Sequence, residues 1–294
     1  FSGVTRRYRD ALLTARDSAR SLATDSKVDF LLHLGDLVDM SEAQGRPREV
    51  LSQVLAALAE SDKEQAHVLG NHCLASWPGT RAELHSELGL FGDSSKTEED
   101  GKENESDLLV SRACPERGYY SRTFGKDQQK LRLIALDGFD VSLMGREEGH
   151  PKRLLAESIL RSRNPGNESG GWFSAEGLEG TARRFVCFNG GCGEEQLQWL
   201  QKQLKDAERA EQRVVVAVHQ PLLPGTANPL CLLWNYEEVL DILKPYGGEQ
   251  GTVVATFAGH AHSDATGRCE GGILHRVVRG VVEHKRSSSS SSSS

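Results

Sequence analysis

Two histidines stand two positions apart in Gly259-His260-Ala261-His262, directly after the apolar run 252–257. Neutral imidazole is the commonest metal ligand, and a strand end closed by small residues lets both rings point into one crevice. Three further side chains of ligand type occupy matching places: Asp36 after Gly35, Asn71 after Gly70, and His219 at the end of the run 213–218. A carboxylate, an amide oxygen and imidazoles together suit Mn, Fe or Zn better than Mg or Ca. Each residue alone has a plainer explanation. Asp36 could cap a helix, Asn71 could hold a left-handed turn, His219 could be a satisfied core histidine, and the histidine pair could lie in a surface loop. Ligand-type residues past four separate strands favour one metal site over four coincidences.

The elements that must position them follow from hydrophobic periodicity. Tyr8, Leu12, Ala15, Ala19 and Leu22 form a helical stripe, and 28–34 reads as a strand ending at Gly35-Asp36. Pro47 suits a first helical turn, and Val50, Leu51, Val54, Leu55 and Leu58 continue that helix before a brief strand at 66–69. A strand pair is expected at 119–124 and 131–137, and helices at 152–162, after Gly193, and at 234–243. The run 213–218, RVVVAV, has the strongest strand character in the chain; 252–257 and 273–282 are further strands. Alternating helices and strands place the chain in the α/β class. In open α/β sheets the ligand crevice lies outside the carboxyl ends of the strands, so the candidate residues are expected to converge. Glycine before a ligand permits a tight turn and close backbone approach.

Composition narrows the function. The 294 residues carry a net charge of −7, 37% hydrophobic and 26% charged residues, as in a soluble globular protein forming a single domain over 1–286. Segment 92–107 reads as a flexible acidic insertion and the serines 287–294 as a disordered tail. No apolar run approaches the ~20 residues needed to span a bilayer, so no membrane partner is expected. The acidic balance opposes nucleic-acid binding, but not a phosphorylated substrate, because divalent cations can reverse the local field. The six scattered cysteines read as reduced thiols, consistent with a cytoplasmic setting.

The series Gly35-Asp36-Leu37-Val38-Asp39, Gly70-Asn71-His72, His219 and Gly259-His260-Ala261-His262 resembles the calcineurin-like metallophosphoesterase superfamily over about residues 28–264. The resemblance implies a two-sheet β-sandwich flanked by helices, with two metal ions at one edge. Asp36 would bridge both ions, Asn71, His219 and His260 would bind one, and His262 the other. Phe188-Asn189-Gly190-Gly191, Glu195-Gln196-Leu197-Gln198-Trp199-Leu200, Cys231-Leu232-Leu233-Trp234-Asn235-Tyr236 and the opening Arg6-Arg7-Tyr8 are similar to the manganese-dependent ADP-ribose/CDP-alcohol diphosphatases. On that resemblance manganese is the first choice of metal, with iron or zinc behind it. Asn189, Gly190, Cys231, Trp234, Asn235 and Tyr236 become candidate substrate contacts, although Trp234 and Tyr236 also suit a core. Two departures stand out. The superfamily's opening Asp-x-His or Asp-x-Gln, with the first strand that carries it, is missing, and Cys73 stands where Glu usually follows the Asn-His pair.

The implied reaction is metal-assisted hydrolysis of a phosphoanhydride in a nucleotide diphosphate. ADP-ribose would give AMP and ribose phosphate; a CDP-alcohol such as CDP-choline or CDP-glycerol would give CMP and a phospho-alcohol. His72, beside a ligand but spare itself, is the candidate general acid. The competing readings are another phosphoester specificity, such as a cyclic-nucleotide phosphodiesterase or a phosphatase, and a non-catalytic scaffold for protein binding.

Overall fold

The computed structural model describes residues 6–39, 45–90, 116–125 and 130–283. The expected insertion 92–107 and the serine tail 287–294 lie outside the described residues. The order is α1 (Tyr8–Ala23), β1 (Phe30–His33), α2 (Pro47–Ala59), β2 (Glu64–His67), α3 (Asn71–Ser76) and α4 (Arg81–Glu87). Then come β3 (Tyr120–Phe124), β4 (Leu131–Ala135), β5 (Val141–Ser142), α5 (Pro151–Arg163) and β6 (Gly190–Gly191). The chain ends with α6 (Glu194–Arg209), β7 (Arg213–Ala217), α7 (Tyr236–Leu243), β8 (Val253–Ala258), β9 (Ala265–Arg268) and β10 (Leu274–Val277).

The larger sheet has six strands in the order β3-β4-β7-β8-β10-β9. Its inner four, β4, β7, β8 and β10, run parallel, while β3 and β9 are antiparallel edges. Parallel strands buried on both faces read as continuous apolar runs, which is why RVVVAV was legible. Along β7, Val215 and Ala217 face the cluster containing Leu133, Phe124 and Leu51. Val214, Val216 and Val218 face the opposite way, onto Leu200 and Leu204 of α6 and Val239 and Leu243 of α7. The smaller sheet pairs β1 with β2 in parallel, Phe30 opposite Glu64 and His33 opposite His67. It lies against the larger sheet across the first cluster, where Phe30 stacks on Phe124 with ring centroids 3.8 Å apart. The Tyr120 hydroxyl clips the sheets together by accepting from the His67 N–H at 3.0 Å and donating to the His67 carbonyl at 2.9 Å.

Among the described residues the smaller sheet has two strands, and Leu31–Leu34 beside β2 line a cavity of about 600 Å³. Apolar side chains of α1 (Leu12, Leu22) and α2 (Val54, Leu58) enclose most of it. One end is polar, lined by Asp36, Asp39, His72, His219, His260 and His262.

Several boundaries differ from expectation. The second strand is Glu64–His67, earlier than 66–69, because Val68 and Leu69 are buried by packing after the strand rather than within it. The expected strand 273–282 ends at Val277; Val278 still donates to the Ala258 carbonyl at 2.8 Å, and Val281–Glu283 then forms a 3-10 turn. The final helix begins at Tyr236 rather than Trp234. Helices α3 and α4 and strands β5, β6 and β9 were not anticipated. No described helix is long and apolar enough to cross a membrane. The five cysteines among the described residues carry free thiols.

Candidate metal centre

Four ligand-type side chains converge because β1, β2, β7 and β8 present their carboxyl ends at one edge of the molecule. After β1, Gly35 adopts φ +97°, and a Cβ there would lie 2.4 Å from His219 Nδ1. Only glycine lets the two loops approach this closely. A Cβ on Gly70 would likewise fall 2.0 Å from Asp36 Oδ1. The Asp36 carboxylate is held from one side by the His72 backbone N–H, which donates to Oδ1 at 2.9 Å. Asp36, His260 and His262 take φ values of 55°, 60° and 53°. Such left-handed backbone is uncommon outside glycine and clusters at functional sites.

Hydrogen bonds decide which nitrogen of each imidazole is free. His219 Nδ1 lies 2.6 Å from the Leu34 carbonyl, which can only accept, so Nδ1 carries the proton and Nε2 is bare. The Asn189 amide group donates to the carbonyls of Arg184 at 2.9 Å and Leu230 at 2.7 Å. Its Oδ1 therefore faces His260 at 2.8 Å and accepts a hydrogen bond from the Nε2–H. That leaves His260 Nδ1 bare as well. The two bare nitrogens stand 3.1 Å apart, and Asn71 Oδ1 and Asp36 Oδ2 each lie 3.2 Å from His219 Nε2. Four electron-rich atoms around one point repel unless a cation sits among them. Ligand atoms of Asp36, His219 and His260 all lie within 4.8 Å of one another. This donor set fits a borderline divalent ion.

Electrostatics agree with that arrangement. Burial opposes charge on His219, but the adjacent Asp36 carboxylate and the Leu34 carbonyl outweigh it and raise its pKa. Burial also opposes charge on Asp36; the imidazoles of His219, His72 and His260 overcome it and hold the carboxyl well below its usual range. Burial, reinforced by His219, keeps His260 neutral, with its pKa well below the ordinary value. Proton and metal thus compete for one seat beside Asp36, as ligand protonation generally requires.

The remaining expected residues fall into two groups. His262 lies at the same edge with Nδ1 2.7 Å from Glu283 Oε1. His72 is a quarter exposed; its Nδ1 is 3.8 Å from Asp39 Oδ2, which accepts from Arg6 at 2.6 Å. Five of the six expected substrate contacts are buried and Asn235 is partly so. Asn189 is fully buried with its amide committed to His260 and two carbonyls, so it supports a ligand. The Gly190 carbonyl accepts from the Trp234 N–H at 2.9 Å, and a Cβ on Gly190 would meet the Gly138 carbonyl at 2.5 Å. Asn235 closes a ring of bonds with the Cys192 backbone, donating at 2.9 Å and accepting at 3.0 Å. Cys231, Trp234 and Tyr236 are buried, the two aromatic rings within apolar clusters. None of these six lines the cavity that opens onto the metal-ligand cluster. Asn189 bonds the His260 ring and the next residue, Gly190, bonds Trp234, so this segment forms a wall behind His260; a motif records that residues matter without separating contact with substrate from support of a ligand.

Sequence reasoning missed Glu283, which no local pattern singles out, and assigned no role to Asp39 and Arg6 although both lie in quoted motifs. It also missed the anchor of the 137–142 turn. Arg81 pairs with buried Asp137, whose Oδ1 accepts from the Phe139 N–H at 2.9 Å. The Phe139 ring packs 5.8 Å from His219, centroid to centroid.

Comparison with known proteins identifies the family. The calcineurin-like phosphoesterase family model matches residues 6–264. A manganese-dependent ADP-ribose/CDP-alcohol diphosphatase of Arabidopsis thaliana is 31% identical over 96% of this chain and 80% of its own. The Homo sapiens protein of the same name is 31% identical over 96% of this chain and 78% of its own. The crystal structure of a dimetal phosphatase from Danio rerio superposes with a TM-score of 0.79 at 28% identity, covering 95% of this chain and 81% of that one. With Asp36, Asn71, His219 and His260 inside the matched region and nearly the whole chain aligned, this chain belongs to the calcineurin-like phosphoesterase family.

Proposed function

We propose that this chain hydrolyses the diphosphate linkage of ADP-ribose and CDP-alcohols in a manganese-dependent reaction. The observation that carries the reading is the convergence of bare Asp36, Asn71, His219 and His260 acceptor atoms on one point. Substrate class and metal are supported by relatives named manganese-dependent ADP-ribose/CDP-alcohol diphosphatases, aligned over nearly the whole chain. Asp36, Asn71, His219 and His260 would hold one ion, and Asp36 with His262 a second. Such ions lower the pKa of water and neutralise phosphoryl oxygens.

The protein's own groups do the rest. Hydrolysis forms a bond from water oxygen to phosphorus while the bridging P–O bond breaks, and the departing oxygen needs a proton. His72 supplies it: the backbone bond to Asp36 fixes its place, and Asp39 beside Nδ1 leaves Nε2 available to the leaving group. Arg6 holds Asp39 in turn. Asn189 and the Leu34 carbonyl keep the two buried imidazoles in the tautomers that direct lone pairs at the ion.

The test is hydrolysis of ADP-ribose beside CDP-choline with manganese, with products identified. AMP or CMP release that a chelator abolishes is expected, and His72→Ala should lower kcat by about 10²–10⁴ with unchanged manganese binding. Failure of manganese to support release from either substrate refutes the proposal.

A further inference from the structure

We propose that Glu283 is the positioning residue of His262, fixing its tautomer so that Nε2 faces the second ion. The inference rests on the reading of His262 as a ligand and adds the group that makes it one. Glu283 Oε1 lies 2.7 Å from His262 Nδ1, while the Glu283 side chain is only 8% exposed. A carboxylate that far from water needs a partner, and the nearer one is this imidazole. Arg279, at 3.9 Å from the other carboxylate oxygen, is too distant for a hydrogen bond and lies closer to Asp264 at 3.7 Å. A carboxylate accepts, so the proton sits on Nδ1 and the lone pair on Nε2.

The surroundings hold this pair in place. Glu283 ends the 3-10 turn Val281–Glu283, its N–H donating to the Gly280 carbonyl at 3.2 Å. The Val282 carbonyl accepts from the Arg7 N–H at 2.7 Å, tying the turn to the start of α1. Gly280 lies against the imidazole; a Cβ there would stand 3.4 Å from Nδ1. The left-handed backbone of His262 turns the ring toward this segment.

The three histidines are thus backed by three different acceptors: the Leu34 carbonyl behind His219, the Asn189 amide behind His260 and the Glu283 carboxylate behind His262. A carboxylate raises ligand basicity most. Of the three acceptors Glu283 is the charged one, so its loss weighs directly on the ion that His262 would hold.

The experiment compares the whole protein with Glu283→Gln and Glu283→Ala, using a manganese-binding isotherm followed by the EPR signal of free Mn(II). A long-range proton–nitrogen NMR spectrum of the metal-free protein reads the His262 tautomer. Wild type should bind two ions, with His262 protonated on Nδ1. Glu283→Ala should weaken the second ion about 10–100-fold and leave the first unchanged, and Glu283→Gln, which keeps an acceptor but loses the charge, should fall between. Melting curves identify a variant that fails to fold, in which case the tautomer and the Gln variant decide. A wild type that binds one ion, a His262 protonated on Nε2, or a second-ion affinity indifferent to both substitutions overturns the proposal. Two bound ions with neither nucleotide cleaved would refute the diphosphatase reading alone and leave the role of Glu283 standing.

Discussion

Asn189 offers a sharp test of whether the wall behind His260 supports a ligand or touches a substrate. In Asn189→Leu the side-chain volume is nearly kept and all three amide hydrogen bonds are lost. The Arg184 carbonyl retains the Val186 N–H at 2.9 Å, so two groups are left unpaired: the His260 N–H and the partly buried Leu230 carbonyl. An unsatisfied buried polar group costs about 1–3 kcal/mol; with the Leu230 carbonyl counted lightly, metal-free stability should drop by about 2 kcal/mol. Without its acceptor, His260 is released to place its proton on Nδ1, toward the ion. Loss of such a group behind a ligand lowers metal affinity about 10–100-fold. Asn189→Asp keeps the acceptor for His260 but aims a second oxygen at the two carbonyls, and should lose stability while holding more metal than the Leu variant. Urea unfolding in chelator and a manganese isotherm measure the two effects separately. Unchanged metal affinity together with a raised KM would refute the reasoning and restore Asn189 as a substrate contact.

Two further outcomes follow from buried charge. Arg81→Met leaves the Asp137 carboxylate buried without its cation, which should cost about 3–5 kcal/mol in urea unfolding; Arg81→Met with Asp137→Asn should recover at least half, and additive losses would show the pair uncoupled. Burial, with His33 and Arg122 nearby, lowers the His67 pKa to about 3, so the unfolded chain takes up the proton that the folded one refuses. That stability is complete above pH 6.5 and is lost as pH falls toward 3, amounting to about 2 kcal/mol between pH 7 and 5. Because Tyr120 bonds the His67 backbone and not its ring, His67→Leu should flatten this part of the pH–stability curve; an unchanged slope refutes the assignment.

Much of the fold was legible because burial leaves a periodic mark. The run RVVVAV at 213–218 is buried on both faces, and the stripe Leu197, Leu200, Leu204 faces the sheet, so strand and helix were both readable. Where burial and backbone pairing part company, the reading slipped. Glu64 and Gln65 belong to a strand without being apolar, and Val68 and Leu69 are apolar without belonging to it. Strand β9, Ala-Thr-Gly-Arg, carries no hydrophobic alternation at all and exists because β10 offers it an edge.

The sequence by itself determined the ligand types and the glycines before them. Asp36, Asn71, His219 and His260 are spread over more than two hundred positions, yet each stands just past a strand, and parallel strands bring their ends to one edge. Tertiary structure decided what each of these groups does there. Whether an imidazole offers Nδ1 or Nε2 depends on which acceptor reaches its other nitrogen, and those acceptors lie far along the chain: Leu34 for His219, Asn189 for His260, Glu283 for His262. The same holds for Trp234 and Tyr236, whose types suit a nucleotide pocket or a core equally well until the fold buries them. Residue type sets which atoms can donate or accept; only packing sets which partner lies within three ångströms.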